Sequence, residues 1–171
     1  MTIEEAIKTA IAYEKKVHGA YADAVKKAKD PTAVKVFEVM AKEELGHIAY
    51  LESRLGEWQK RGQLASEKLG SILPSKEMVE AGIKRARGKL KGKPAGTTPE
   101  LGFLQQALAA EEETSAFYRR MVAELPPEGQ ELFSRFLDIE DGHAAIVKAE
   151  IDSVTGLGFW FDVMEFNLEA G

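Results

Sequence analysis

Apolar residues recur at alternating spacings of three and four along four stretches of the chain. That is the period of a helix with one buried face. The first stretch runs Ile3, Ile7, Ala10, Val17, Tyr21, Ala24 and Ala28, and the second Val34, Phe37, Ala41, Ile48, Leu51, Leu55 and Trp58. The third runs Leu101, Leu104, Leu108, Ser115, Tyr118, Val122 and Leu125, and the fourth Phe133, Leu137, Ala144, Val147, Ile151 and Val154. Start and stop signals bracket each one. Thr2 with Glu5 makes a capping box for a helix reaching towards Lys29. Asp30-Pro31 supplies an N-cap and a first helical residue for a second helix ending towards Gly62. Thr98-Pro99 opens the third, which stops at Leu125-Pro126-Pro127, and Glu128 opens the fourth, which ends near Thr155 before Gly156 and Gly158.

Connection lengths set the topology. Helices one and two meet at Asp30-Pro31, and helices three and four at Pro126-Pro127-Glu128-Gly129, so each pair is expected to be antiparallel. Helices two and three are separated by a Lys-, Gly- and Pro-rich segment, 63–97. The expectation is an all-α fold, a ferritin-like four-helix bundle with one long crossover between helices two and three. It would span residues 1–155, followed by an aromatic C-terminal extension, 156–171.

Each stripe is interrupted near its middle by one glutamate: Glu14, Glu44, Glu111 and Glu140. A single glutamate in a helix stripe reads as a rim residue, but four at matching depth aim four carboxylates at one axis. His47 follows Glu44 by three residues and His143 follows Glu140 by three, a spacing that puts both members of a pair on one helix face. No Lys or Arg occupies any stripe. Buried carboxylates without compensation cost several kcal/mol each, and two divalent cations would neutralise four of them while leaving the imidazoles neutral. Glu-x-x-His on two helices with a lone Glu on each of the others is a two-metal carboxylate ligand set. Oxygen-rich ligation with one imidazole per metal suits iron or manganese, with zinc as a further candidate. The chain has no Cys, so it can build neither a thiolate site nor a disulfide.

The halves repeat. Glu111 and Tyr118 follow Glu14 and Tyr21 at one offset of 97, and Glu140 and His143 follow Glu44 and His47 at one offset of 96. The register selects Glu111 over its neighbours Glu112 and Glu113 as the inward residue. Tyr21 and Tyr118 are core aromatics or hydrogen-bond donors that orient a ligand carboxylate on a partner helix.

In Glu14, Glu44-x-x-His47, Glu111 and Glu140-x-x-His143 the chain resembles the ferritin-like superfamily, and most closely the di-iron domain of the rubrerythrin family, over residues 2–155. The resemblance implies two iron ions held by these six residues, with Glu44 and Glu140 bridging, and no catalytic group apart from the ligands. Two positions depart from that family. Rubrerythrins carry a further glutamate three residues after the helix-three ligand, where this chain has Thr114, a set closer to that of bacterioferritins. The rubredoxin-like domain is excluded by the missing cysteines. Bacterioferritins ligate haem through a Met following the helix-two glutamate; Leu45 stands there, so no haem is expected.

The leading expectation is an oxidoreductase that reduces hydrogen peroxide or dioxygen with an external electron donor. A ferroxidase, iron-storage or iron-transfer protein is the alternative, and a non-catalytic metal-binding scaffold a third. The net charge of −5 argues against a nucleic-acid binder. The acidic start Met1-Thr2-Ile3-Glu4-Glu5 lacks signal-peptide features, and no apolar run reaches the roughly 20 residues of a membrane span, so a cytoplasmic protein is expected. His18 reads as a satisfied core-edge histidine. The lysines and arginines of 76–93 read as a solvated helix face. Gly158-Phe159-Trp160-Phe161 with Met164 and Phe166 suggests a surface that packs on the bundle or on a second copy, giving a homodimer.

Overall fold

A computed structural model describes residues 1–64, 69–87 and 99–157. Among them the chain is all-helical, with five α-helices packed against one another and no strand. They are α1 (Ile3–Lys27), α2 (Pro31–Arg61), α3 (Lys76–Arg87), α4 (Pro99–Glu124) and α5 (Pro127–Asp152), the last continuing into a π-helical turn, Ser153–Leu157.

The ends follow local chemistry. The Glu5 backbone N–H donates to Thr2 Oγ1 at 3.2 Å, while the Thr2 N–H donates to the Glu5 carboxylate at 2.8 Å. The reciprocal bonds satisfy donors that a helix start leaves without partners. Asp30 caps α2 by accepting from the N–H groups of Thr32 and Ala33 at 2.8 and 3.0 Å. Gly62 ends α2 in the left-handed region at φ 63°, where a residue with a Cβ is strained. Gly156 does not stop α5. The chain widens into a π turn there, and Thr155 Oγ1 donates back to the Ile151 carbonyl at 2.6 Å.

Cross-helix contacts give the helix directions. Glu4 meets Gln59, Lys15 meets Glu52 and His18 meets the Ala41 carbonyl, so α1 and α2 are antiparallel. Glu112 pairs with Lys148 and Arg119 with Asp141, so α4 and α5 are antiparallel too. Tyr13 lies against Phe117 and Tyr21 bonds Glu111, which makes α1 and α4 antiparallel. Helices α2 and α4 therefore point the same way.

Within that connection lies α3, packed on α5. Val79 and Gly82 are buried and Ile83 half-buried, while Lys76, Lys84 and Arg85 are exposed. The basic face is thus solvated where it is described, and its apolar edge caps the core. The remainder of the basic segment and the aromatic extension from 158 lie outside the described residues.

The core is split in two. One apolar cluster joins Val17, Tyr21, Phe37, Met40, Leu104 and Ile146, and the other joins Ile7, Leu51, Phe117, Met121, Phe133 and Phe136. Between them, level with the middle of each long helix, lies a layer of buried carboxylates and imidazoles.

Candidate metal centre

The layer consists of Glu14 from α1, Glu44 and His47 from α2, Glu111 from α4, and Glu140 and His143 from α5, each at most 1% exposed. The helix period puts them there: the four glutamates occupy stripe positions flanked by core residues one turn either side, and each histidine shares the face of the glutamate three residues before it. The structure brings all six together, and Glu112 and Glu113 point outward to ion pairs with Lys148 and Lys16.

The donor atoms form two sets that share two members. His47 Nδ1 lies 3.2 Å from Glu14, 3.3 Å from Glu44 and 3.2 Å from Glu140. His143 Nδ1 lies 2.9 Å from the other Glu44 oxygen, 3.8 Å from Glu111 and 3.9 Å from the other Glu140 oxygen. Glu44 and Glu140 thus each turn one oxygen to each histidine, and Glu14 and Glu111 close the two ends. The rings of His47 and His143 stack at 5.2 Å with 11° between their planes.

Close approach here is mostly not hydrogen bonding. Both oxygens of Glu44, both of Glu140, Oε2 of Glu111 and both nitrogens of His143 have no hydrogen-bond partner among the described residues. Buried polar atoms left this way cost about 1–3 kcal/mol each. Donor atoms on a shared cation would sit at such separations, because metal–ligand bonds of about 2.1 Å at right angles put neighbouring donors about 3 Å apart. Glu44, His47, Glu140 and His143 each offer a donor atom within 4.8 Å of all the others, and this group could hold a metal ion.

Electrostatics point the same way. Burial pushes Glu14 up to about 8, only partly offset by its bond to His47. Burial, with the charges of Glu14 and Glu44, pushes Glu140 up to about 8 as well. Glu111 is driven well above the carboxylate range by burial and by Glu140 and Glu44. Burial also opposes ionisation of Glu44, but His143 and His47 outweigh it and hold its carboxyl well below that range. Burial lowers His47, but the carboxylates of Glu14, Glu140 and Glu44 close to its Nδ1 outweigh that cost and raise it. Without a cation the layer therefore balances its charge with protons, and a divalent ion would compete for the same lone pairs.

Two tyrosines brace the layer crosswise. Tyr21 on α1 donates to Glu111 on α4 at 2.5 Å, and Tyr118 on α4 donates to Glu14 on α1. Burial and the neighbouring carboxylates raise both phenols further, so they remain donors. Tyr118 leaves the other Glu14 oxygen to face His47, whereas the Glu111 oxygen nearest His143 is the one that Tyr21 bonds. His18 does not join the layer; its Nδ1 is 3.0 Å from the Ala41 carbonyl.

Several neighbours were not visible in the stripes. Phe136 sets its ring edge-on to His47 at 5.6 Å and lies 5.2 Å from Tyr118. It sits one turn before Glu140, so a wider stripe on α5 would have included it. Glu100 is buried because it accepts from the backbone N–H groups of Lys29 and Asp30 at the α1–α2 junction. Arg54 is buried beside Glu57 and over the Tyr50 ring. A charged residue used this way carries no periodicity signal.

Comparison of the chain with protein-family models, with curated proteins and with solved structures finds no match.

Proposed function

We propose that this protein is a di-iron carboxylate oxidoreductase of the rubrerythrin-like kind, in which the four long helices form a ferritin-like bundle and 63–97 is its crossover. The observation that carries this reading is the double sharing of Glu44 and Glu140 between His47 and His143, by buried oxygens that lack hydrogen-bond partners among the described residues. On this reading Glu14 and His47 would hold one iron, Glu111 and His143 the other, and Glu44 and Glu140 would contribute to both. A ferrous pair bound there would supply the two electrons that, with two protons, reduce hydrogen peroxide to two waters, and an external donor would restore them. The chain's own residues set the conditions. Tyr21 and Tyr118 fix the terminal carboxylates, Phe136 and the two apolar clusters exclude water, and the shared glutamates keep the ions adjacent.

Thr114 favours a second use of the same site. It is buried, and its hydroxyl is committed to the Ala110 carbonyl at 2.9 Å, so no seventh ligand is offered there. A site lacking that ligand suits oxidation of ferrous iron for storage or transfer. The deciding experiment is metal analysis of protein purified without chelators, followed by anaerobic ferrous titration and challenge with peroxide or dioxygen. Two irons per chain, oxidised by either, support the reading. A chain that takes up no iron overturns it.

A further inference from the structure

The internal repeat also includes the residue before each histidine, and there the halves part. Gly46 precedes His47 and Gly142 precedes His143 at the same offset of 96. A Cβ at Gly142 would meet the Pro74 carbonyl oxygen at 3.3 Å and the Lys76 nitrogen at 3.5 Å. The start of α3 is therefore laid directly over α5 at that point, and the absence of a side chain permits it. Among the described residues, a Cβ at Gly46 would meet nothing within 4 Å.

The space beside Gly46 is a cavity of about 460 Å³ between α2 and the strap 69–72. His47 forms part of its wall, together with Lys42, Tyr50, Ser53 and Arg54. The strap is moored by Ser71 Oγ, which donates to Glu43 at 2.6 Å, and by the Leu73 N–H, which donates to Ser71 Oγ at 3.0 Å. The His47 ring has its Nδ1 turned to the carboxylates, and its Nε2 is buried without a hydrogen-bond partner. A larger cavity of about 550 Å³ lies among α3, α4 and α5, but none of the six layer residues borders it.

We propose that the cavity beside Gly46 is the port by which a small oxidant, of dioxygen or peroxide size, reaches the centre, so that access is from the His47 side while α3 roofs the His143 side. The identity of the oxidant rests on the function proposed above; the asymmetry of access does not. Lys42, Glu43, Tyr50 and Ser53 give the port a polar wall of mixed charge, with Arg54 paired to Glu57, and His47 is the layer residue that borders it.

Dissolved dioxygen is itself a paramagnetic probe of where small molecules go. In the metal-free full chain, oxygen-induced NMR relaxation should be larger at the His47 ring proton than at that of His143. Gly46→Leu, which fills the port from an exposed helical position, should reduce the His47 effect to the level of His143. Ala145→Leu, in the other cavity, should leave both unchanged. In the iron-loaded chain, azide association should slow by roughly tenfold in Gly46→Leu, since access limits such an on-rate. Equal relaxation at the two histidines, or a loss caused by Ala145→Leu and not by Gly46→Leu, would overturn the port. A chain that binds no iron yet keeps the relaxation difference would remove the redox reading and leave the port standing.

Discussion

The α1–α2 half and the α4–α5 half agree on the inside and differ on the outside. Inward, Glu14, Tyr21, Glu44 and His47 are matched one for one by Glu111, Tyr118, Glu140 and His143, and each tyrosine crosses to the glutamate of the opposite half. Outward, Gly46 faces open space and a cavity while its counterpart Gly142 is covered by the chain leading into α3. The inner match is what the proposed pair of cations would require, because two like ions would need the same charge and nearly the same donors. The outer mismatch arises because the connection leaves a cavity between its strap 69–72 and α2 but packs closely on α5 from Pro74 to Lys76.

The largest effect should come from the shared carboxylates. Glu44→Ala or Glu140→Ala removes a donor from both sets at once and should abolish metal binding, as read by metal content per chain. Glu14→Ala and Glu111→Ala each remove a donor from one set and should lower it by about one ion. If one of this second pair empties the site and the other leaves it full, the halves are not equivalent. Glu43→Ala and Asp141→Ala should leave metal content unchanged.

Stability against pH is the next test. Glu14 and Glu140 have folded values of about 8, above their ordinary 4.5. A carboxyl that holds its proton more tightly when folded contributes stability that is complete below 4.5 and is lost as pH rises through the folded value. Glu111 and His47 are raised too, so they act in the same direction. Glu44, which is lowered, keeps its contribution throughout this range. The melting temperature of the metal-free chain should therefore fall between pH 5 and pH 8, by about 2–4 °C for each kcal/mol lost. The metal-loaded chain should show the opposite slope, because binding needs the deprotonated ligands. A flat profile for the metal-free chain would mean that the layer is hydrated.

Tyr21→Phe and Tyr118→Phe test the cross-bracing. Removing the hydroxyl that orients a ligand carboxylate should weaken metal binding by about 10–100-fold, measured by competition with a chelator. Similar losses in both variants would extend the inner match from geometry to energetics. A smaller effect is expected from Thr114→Glu, which restores a carboxylate one turn from Glu111 and should raise the peroxide rate relative to the dioxygen rate. An unchanged ratio would show that Thr114 does not set oxidant preference. Glu112→Ala and Glu113→Ala should do least, removing only exposed pairs with Lys148 and Lys16, each worth about 1 kcal/mol or less. Loss of metal in Glu112→Ala would move the register of α4 by one residue.

Much of this was legible in the residues alone. The caps at Thr2 and Asp30, the stop at Gly62 and the inward glutamates follow from local bonding and from a period of 3.6 residues, both written in short stretches of chain. The identity of Glu111 as the inward residue needed only that period and the repeat. Pairwise relations between helices were not written there. Which oxygen of Glu44 meets which histidine, and the crossing of Tyr21 to Glu111 and Tyr118 to Glu14, depend on how the helices rotate and slide against one another, which packing decides. The burial of Phe136, Glu100 and Arg54 has the same origin, because a helix buries more than one row once it has neighbours on two sides. The helix inside 63–97 is amphipathic over only three turns, Lys76–Arg87, too short to be stable by itself. Its position over Gly142, and hence the open face at Gly46, was decided by the tertiary structure, since its Val79 edge had to find apolar surface left uncovered by the other helices.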